Sequence, residues 1–279
     1  MIIDSHTHIF PREVLHNRST YGRRDPAFRE IYGNGKARMI GPESLIAEMD
    51  EAGVDMAVVC GFPWESHELC VVGNDAIMKA VERFPGRLVG FGSIYPAEPE
   101  KAVQEILRFV AGGLKGVGEL GFYIRRMTRK DIAGMEPICN TISKLGIPLL
   151  LHASETVGHS YPGKGETDLR EFYRFVSSFP DINIILAHWG GGLVFYEMMP
   201  SVAQATQRVY YDTAASPYLY RKDIYRVASE IVGPGRVLFG SDYPLIRQVR
   251  YLREIRDAGL DRVPLSQILG DNTRSLLGL

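Results

Sequence analysis

Eight short apolar runs, each followed by a stretch of helical apolar spacing, succeed one another along this chain, and that alternation restricts its fold more than any single motif. The first run is Ile2-Ile3, leading into Asp4-Ser5-His6-Thr7-His8; the others fall at about 55–62, 88–94, 114–120, 147–152, 182–188, 209–213 and 237–241. They have strand length and are bounded by Gly, Pro or polar residues. Helices are predicted at about 42–53, 74–84, 98–111, 131–145, 169–179, 193–207, 221–232, 248–258 and 265–277, several closed by Gly or Pro. In 279 residues, eight strand-helix units match the length and order of a (β/α)8 TIM barrel built as a single domain. An open, doubly wound sheet shows the same alternation and is the alternative, because periodicity does not tell a closed sheet from an open one.

Residues 16–41 interrupt the pattern. They are polar, rich in Arg, Tyr and Gly, and longer than an ordinary connection, which predicts a functional loop acting as a lid. Its Arg23, Arg24 and Arg38 are candidates for attracting an anionic substrate, although a solvated face accounts for them as well.

Lys+Arg 32 against Asp+Glu 33 gives a formal net charge of -1, with no basic footprint for nucleic acid and no polybasic run for a membrane. A small-molecule substrate is expected. Cys60, Cys70 and Cys139 form no Cys-x-x-Cys pair, so neither a disulfide framework nor a zinc finger is indicated, and a reducing cytoplasm is the simplest compartment. There is no signal-like N-terminus and no apolar run long enough to span a bilayer. Apolar surface on outer helices could support a homo-oligomer.

The informative polar residues stand at strand ends. On one strand, side chains at i and i+2 share a face, so His6 and His8 project to the same side and can share a cation. His152 ends Pro148-Leu149-Leu150-Leu151, His188 ends Ile184-Ile185-Leu186-Ala187, Asp242 ends Val237-Leu238-Phe239-Gly240-Ser241, and Glu119 closes Gly116-Val117-Gly118. Taken singly, each has an ordinary structural explanation: a core histidine with one hydrogen bond, or a turn aspartate before Pro244. In a barrel they converge on one mouth, and a shared metal explains them with one cause. Gly116-Val117-Gly118-Glu119-Leu120-Gly121 fits Gly-x-Gly-x-x-Gly, but it overlaps a strand and opens no helix, so a dinucleotide site is not predicted. Gly190-Gly191-Gly192 reads as a tight turn, and no Gly-x-Ser-x-Gly elbow is present.

With these residues in hand, the chain resembles the amidohydrolase superfamily of metal-dependent hydrolases: His-x-His on the first strand, His at the fifth, His at the sixth and Asp at the eighth. Asp4-Ser5-His6-Thr7-His8, Ala187-His188-Trp189-Gly190-Gly191, Phe239-Gly240-Ser241-Asp242-Tyr243-Pro244 and Gly270-Asp271-Asn272 are similar to its amidohydrolase-related branch, which also includes decarboxylases. The resemblance covers nearly the whole chain and implies fold and metal, but not a substrate. Glu119 divides its implications. In TatD-type relatives a fourth-strand glutamate bridges two metals, whereas in mononuclear members such a carboxylate would orient a histidine.

The reading that follows is a divalent metal, zinc foremost, as one or two ions held by His6, His8, His152 and Asp242, with Glu119 and His188 completing a second site or hydrogen-bonding around the first. Asp242 is the candidate general base, and His188 polarises a carbonyl or holds water. Trp64, Tyr123, Trp189 and Tyr243 are candidates to stack on a flat substrate, and Arg125, with Arg126 and Arg247, to fix its carboxylate. The expected reaction is hydrolysis of an amide, ester or lactone of a small, carboxylated molecule. Non-oxidative decarboxylation of an aromatic or unsaturated acid is the alternative, and a non-catalytic binding barrel is the reading from another class. TatD-type phosphodiester cleavage is suggested by Glu119 but gains no support from a nearly neutral chain.

Overall fold

A computed structural model describes residues 1–279. Its eight strands, β1 (Ile3–His8), β2 (Met56–Cys60), β3 (Leu88–Gly92), β4 (Gly116–Leu120), β5 (Leu149–Leu151), β6 (Ile184–Leu186), β7 (Val209–Asp212) and β8 (Val237–Leu238), pair in sequence order. Every neighbouring pair is parallel. The sheet closes. Although β8 is only two residues long, the segment after it runs along β1, with Ser5 N–H donating to Phe239 O (2.7 Å), Asp242 N–H to His6 O (2.9 Å) and His8 N–H to Tyr243 O (2.8 Å). The fold is therefore a (β/α)8 barrel, and the open-sheet alternative falls away.

Alternation along the strands separates two cores. Ala57 and Val59, Leu149 and Leu151, and Ile184 and Leu186 face the surrounding helices, while Val58, Cys60, Leu150 and Ile185 fill the barrel interior. Leu277 of the last helix belongs to the interior cluster, so the chain's own C-terminal residues pack on it. The same parity sends His8 inward beside Cys60, its register partner, and carries His152 and Asp242 inward after Leu150 and Leu238.

The predicted loop at 16–41 requires correction. Helices Arg12–His16, Arg18–Arg24 and Pro26–Tyr32 occupy most of it. Each is too short to be stable alone or to show a clear period, and packing supplies what propensity does not. Phe28 stacks on Trp64 (5.0 Å, 16°), Tyr32 meets Phe10 edge-on (4.9 Å), and Asp25 caps the third helix by accepting from Phe28 N–H at 2.8 Å. Asp25 also accepts from Glu65 N–H at 2.7 Å, fastening the insertion to the connection after β2.

Other helices differ in extent. The helix expected from residue 74 starts at His67, where Ser66 accepts from Leu69 N–H. The stretch 193–207 divides into Leu193–Tyr196 and Pro200–Ala205, because Pro200 restarts a helix at its first turn. Residues 265–277 hold a wide turn, Gln267–Asp271, ahead of Asn272–Leu277. No helix is long and apolar enough to cross a membrane.

Candidate metal centre

The C-terminal ends of the strands bring six predicted residues together. His6 Nε2 and His8 Nε2 lie 3.1 Å apart; Asp242 Oδ1 is 3.9 Å from the first and 3.3 Å from the second. Glu119 faces the pair from across the barrel, with Oε1 3.8 Å from His6 Nε2 and Oε2 3.9 Å from His8 Nε2. On its other side, Glu119 Oε1 is 2.9 Å from His152 Nδ1, which is 3.3 Å from His188 Nε2. Two potential ligand groups result, His6/His8/Glu119 and Glu119/His152/His188, with Glu119 common to both.

Two of the six break strand parity, and the backbone shows how. Val117 faces the helices, so Glu119 would follow it outward; instead the β4–β5 register shifts between Val117 and Leu120, and Gly118 takes φ +145°. A Cβ at Gly118 would stand 2.7 Å from Leu150 Cβ, so glycine is required for the approach as well. His188 follows the inward Ile185 by three residues, again out of phase. It is turned in by a left-handed segment in which His188, Trp189, Gly190, Gly191 and Gly192 have φ of 54°, 59°, 64°, 60° and 96°. Asp242, at φ 60°, is also left-handed. Such conformations cost about 1–3 kcal/mol each for residues with a side chain, and they cluster where a side chain must be aimed. The glycine run therefore is a tight turn beside the cluster.

Hydrogen bonds decide which nitrogens face inward. His6 donates its Nδ1 proton to Asp212 Oδ2 (2.7 Å), His8 to the Cys60 carbonyl (3.2 Å) and His188 to the Ala214 carbonyl (3.0 Å). With Nδ1 committed outward, the Nε2 lone pairs of His6 and His8 converge in front of two carboxylates. Lone pairs so placed repel one another unless a positive charge stands between them. The cluster fits a cation, and in its absence a proton takes the place. Burial alone would make His6 a weaker base, but Asp212, Glu119 and Asp242 together hold it up to about 10.

The acids respond in kind. Burial works against the charge of Glu119, but His152, His6 and His8 outweigh it and hold the carboxyl below its usual range. Asp242 is lowered in the same way against burial, by His8, His6 and His188. Its side chain is 17% exposed against 3% for Glu119, so of the two it faces the opening. His188 is depressed by burial and by His152, and is a neutral acceptor at Nε2. Tyr123 donates to Glu119 Oε2 at 2.9 Å, and burial, with Glu119 beside it, keeps that phenol protonated far above its usual range.

The predicted substrate contacts fare differently. Tyr123 reaches the cluster. Trp64 is 3% exposed and stacked on Phe28 within the inserted helices, and Trp189 is fully buried with its N–H donated to Ser216 Oγ. Tyr243 is 1% exposed and covered by Arg38 at 5.4 Å; its carbonyl positions His8. Arg125 makes two hydrogen bonds to Asp131, Arg126 lies 3.5 Å from Glu166, and Arg247 is engaged by Glu48 and Glu51. All three cations are paired with acids in this structure.

Sequence reasoning missed Asp212 and Ser154. Asp212 ends Val209-Tyr210-Tyr211 as other acids end their strands, so the signal was present. Ser154, whose Oγ is 2.9 Å from His152 Nε2, carries no signal at all beyond standing two residues after a histidine.

The sequence model of a family described as amidohydrolase matches residues 3–279. A Dictyostelium discoideum protein named 2-amino-3-carboxymuconate-6-semialdehyde decarboxylase is 22% identical over 332 residues, covering 99% of this chain and 91% of that protein. The crystal structure of 5-carboxyvanillate decarboxylase from Sphingomonas paucimobilis superposes with a TM-score of 0.80 at 21% identity, over 100% of this chain and 99% of the other. A dihydroxybenzoic acid decarboxylase from a Polaromonas species, solved with manganese and the inhibitor 2-nitroresorcinol, gives 0.76 at 18%, over 100% and 97%. At these identities the structural likeness speaks for the fold.

Proposed function

The chain belongs to the amidohydrolase family, and from that premise we propose that it is a metal-dependent enzyme removing carbon dioxide, without oxidation, from an aromatic or unsaturated carboxylic acid. The observation that carries the metal reading is the convergence of His6 Nε2, His8 Nε2 and Asp242 Oδ1 within 3.9 Å while both Nδ1 protons are committed elsewhere. Decarboxylation is favoured over the hydrolysis that the sequence analysis placed first because a relative spanned over 91% of its length bears a decarboxylase name. Zinc has no priority over manganese, which accompanies three of the structural neighbours.

His6, His8, His152 and Asp242 would hold the ion, with Glu119 and His188 around them or completing a second position. A bound divalent ion supplies Lewis acidity that orients a substrate oxygen and stabilises charge developing beside it. Loss of carbon dioxide leaves an electron pair on carbon, so a proton must reach that atom. Of the two cluster carboxylates Asp242 is the more exposed, and it would relay that proton. His188 presents an Nε2 lone pair and can accept from a substrate hydroxyl or from water. Residues 16–41, most of them in short helices, would act as a lid.

The test is a panel of hydroxybenzoates, unsaturated dicarboxylates and carboxylated lactones, esters and amides offered to the Mn2+- and Zn2+-loaded protein, with carbon dioxide measured and 18O-labelled water as solvent. Carbon dioxide without solvent oxygen in the organic product supports decarboxylation. Solvent oxygen in a cleaved product without carbon dioxide establishes hydrolysis instead. Asp242→Asn should abolish turnover while retaining bound metal, and an active variant would remove Asp242 from the proton relay.

A further inference from the structure

Tyr123 lies against the cluster rather than along its opening. It is 9% exposed, its hydroxyl donates to Glu119 Oε2 at 2.9 Å, and the same oxygen is 3.4 Å from His152 Nδ1. The ring has little freedom. It meets His152 edge-on at 4.6 Å and stacks on Phe62 at 6.1 Å and 18°. Phe62 is in turn held by Phe28 and Tyr32 of the inserted helices, both with ring centroids at 5.7 Å.

Glu119 needs such a restraint. A glutamate carboxylate turns readily about its last torsion, and this one has only Tyr123 and His152 as protein hydrogen-bond donors. Its two oxygens face different partners, Oε1 towards His6 and His152 and Oε2 towards His8. Turning the carboxylate plane would withdraw both.

We propose that Tyr123 is a positioning residue whose hydroxyl fixes the plane of the Glu119 carboxylate and so tightens divalent-cation binding by the histidine cluster. The proposal rests on the reading that this cluster holds a cation, and is independent of the reaction catalysed. It differs from the substrate-stacking role that the sequence suggested, since it rests on the hydroxyl rather than on a ring face.

Tyr123→Phe keeps the ring and its packing and deletes only the hydroxyl. Titrating metal-stripped protein calorimetrically with Mn2+, we expect affinity about 10- to 100-fold below the wild type, the range typical of lost outer hydrogen bonds to metal ligands. A packing role predicts something else: full affinity in Tyr123→Phe, and loss of thermal stability only in Tyr123→Leu. Equal Mn2+ affinity in wild type and Tyr123→Phe overturns the proposal, as does an effect confined to KM at saturating Mn2+, which would make the phenol a substrate contact. Failure of the wild type to bind Mn2+ or Zn2+ removes the metal reading and the proposal with it.

Discussion

His6 Nδ1 lies 2.7 Å from Asp212 Oδ2, both side chains fully buried, so the first histidine of the chain is oriented by an acid 206 residues further on. The other oxygen of Asp212 accepts from the main-chain N–H of His188 (2.9 Å) and of Ala214 (3.0 Å). One carboxylate therefore orients His6 and holds the main chain at His188, the two rings lying 5.7 Å apart. Because His188 donates Nδ1 to the Ala214 carbonyl, its ring and its backbone are both fixed from the segment after β7.

Asp212→Asn keeps the shape of the side chain and replaces one acceptor oxygen by a donor nitrogen. Either His6 Nδ1–H or the two main-chain N–H groups then face another N–H. We expect divalent-metal affinity to fall about 10- to 100-fold, the usual effect of losing a carboxylate behind a histidine ligand. Calorimetric titration of the metal-stripped variant measures this directly, and wild-type affinity would show that Asp212 serves the main chain alone.

The same contact makes metal binding depend on pH. Burial pulls the basicity of His6 down, but Asp212, Glu119 and Asp242 hold it up to about 10, above the ordinary 6.5. In the metal-free protein His6 thus stabilises the fold fully below about pH 6.5, and that contribution is lost as the pH rises towards 10. The difference in thermal midpoint between metal-free wild type and His6→Gln should shrink over that window. An incoming cation must also expel the proton, so Mn2+ binding near neutrality should release about one proton and strengthen as pH rises. Titration in buffers of different ionisation enthalpy counts the protons; none released would place His6 outside the cation's ligands.

Arg125, a candidate substrate contact, is paired with an acid in this structure. Its two hydrogen bonds to Asp131, at 2.8 and 2.9 Å, join the Thr128–Asp131 capping box of the helix Arg129–Gly134, and the side chain is 41% exposed. Arg125→Ala should leave KM for any carboxylate substrate within about twofold and cost less than about 1 kcal/mol of stability, as exposed pairs do. Steady-state kinetics and denaturant unfolding check both, and a large rise in KM would restore Arg125 to the substrate.

Much of this centre was legible because it follows from alternation. His6 and His8 share a face by the period of a strand, and His152 and Asp242 keep the parity of Leu150 and Leu238. Glu119 and His188 were legible only as types at strand ends, since nothing in a residue pattern announces the register shift at Gly118 or the left-handed turn that re-aims them. The inserted helices were hidden because tertiary aromatic contacts stabilise them: Phe28 and Tyr32 find Phe10, Phe62 and Trp64 only after β1 and β2 lie side by side. Trp64, read as a stacking surface, is consumed by that same packing, and Trp189 by its own burial against Tyr225 and Ser216, which composition does not reveal.

The left-handed turn after β6 offers the sharpest test of how the backbone aims His188. Gly191 has φ +60°, and a Cβ there would stand 2.4 Å from the carbonyl oxygen of Ser154, whose hydroxyl contacts His152 Nε2. Gly192, at φ +96°, has nothing closer than 3.9 Å to its would-be Cβ. Gly192→Ala should therefore carry the conformational cost alone, about 1–2 kcal/mol. Gly191→Ala adds a clash with main chain that cannot rotate away, worth about 1–3 kcal/mol more. It must also push Ser154 outward, and His152 and His188 with it, so its metal affinity should fall while that of Gly192→Ala stays near the wild type. Urea unfolding with Mn2+ titration on both variants separates strain from contact. Equal losses in the two would mean that the turn is sensitive only to its dihedral angles, and that the approach of Gly191 to Ser154 does not set the histidines.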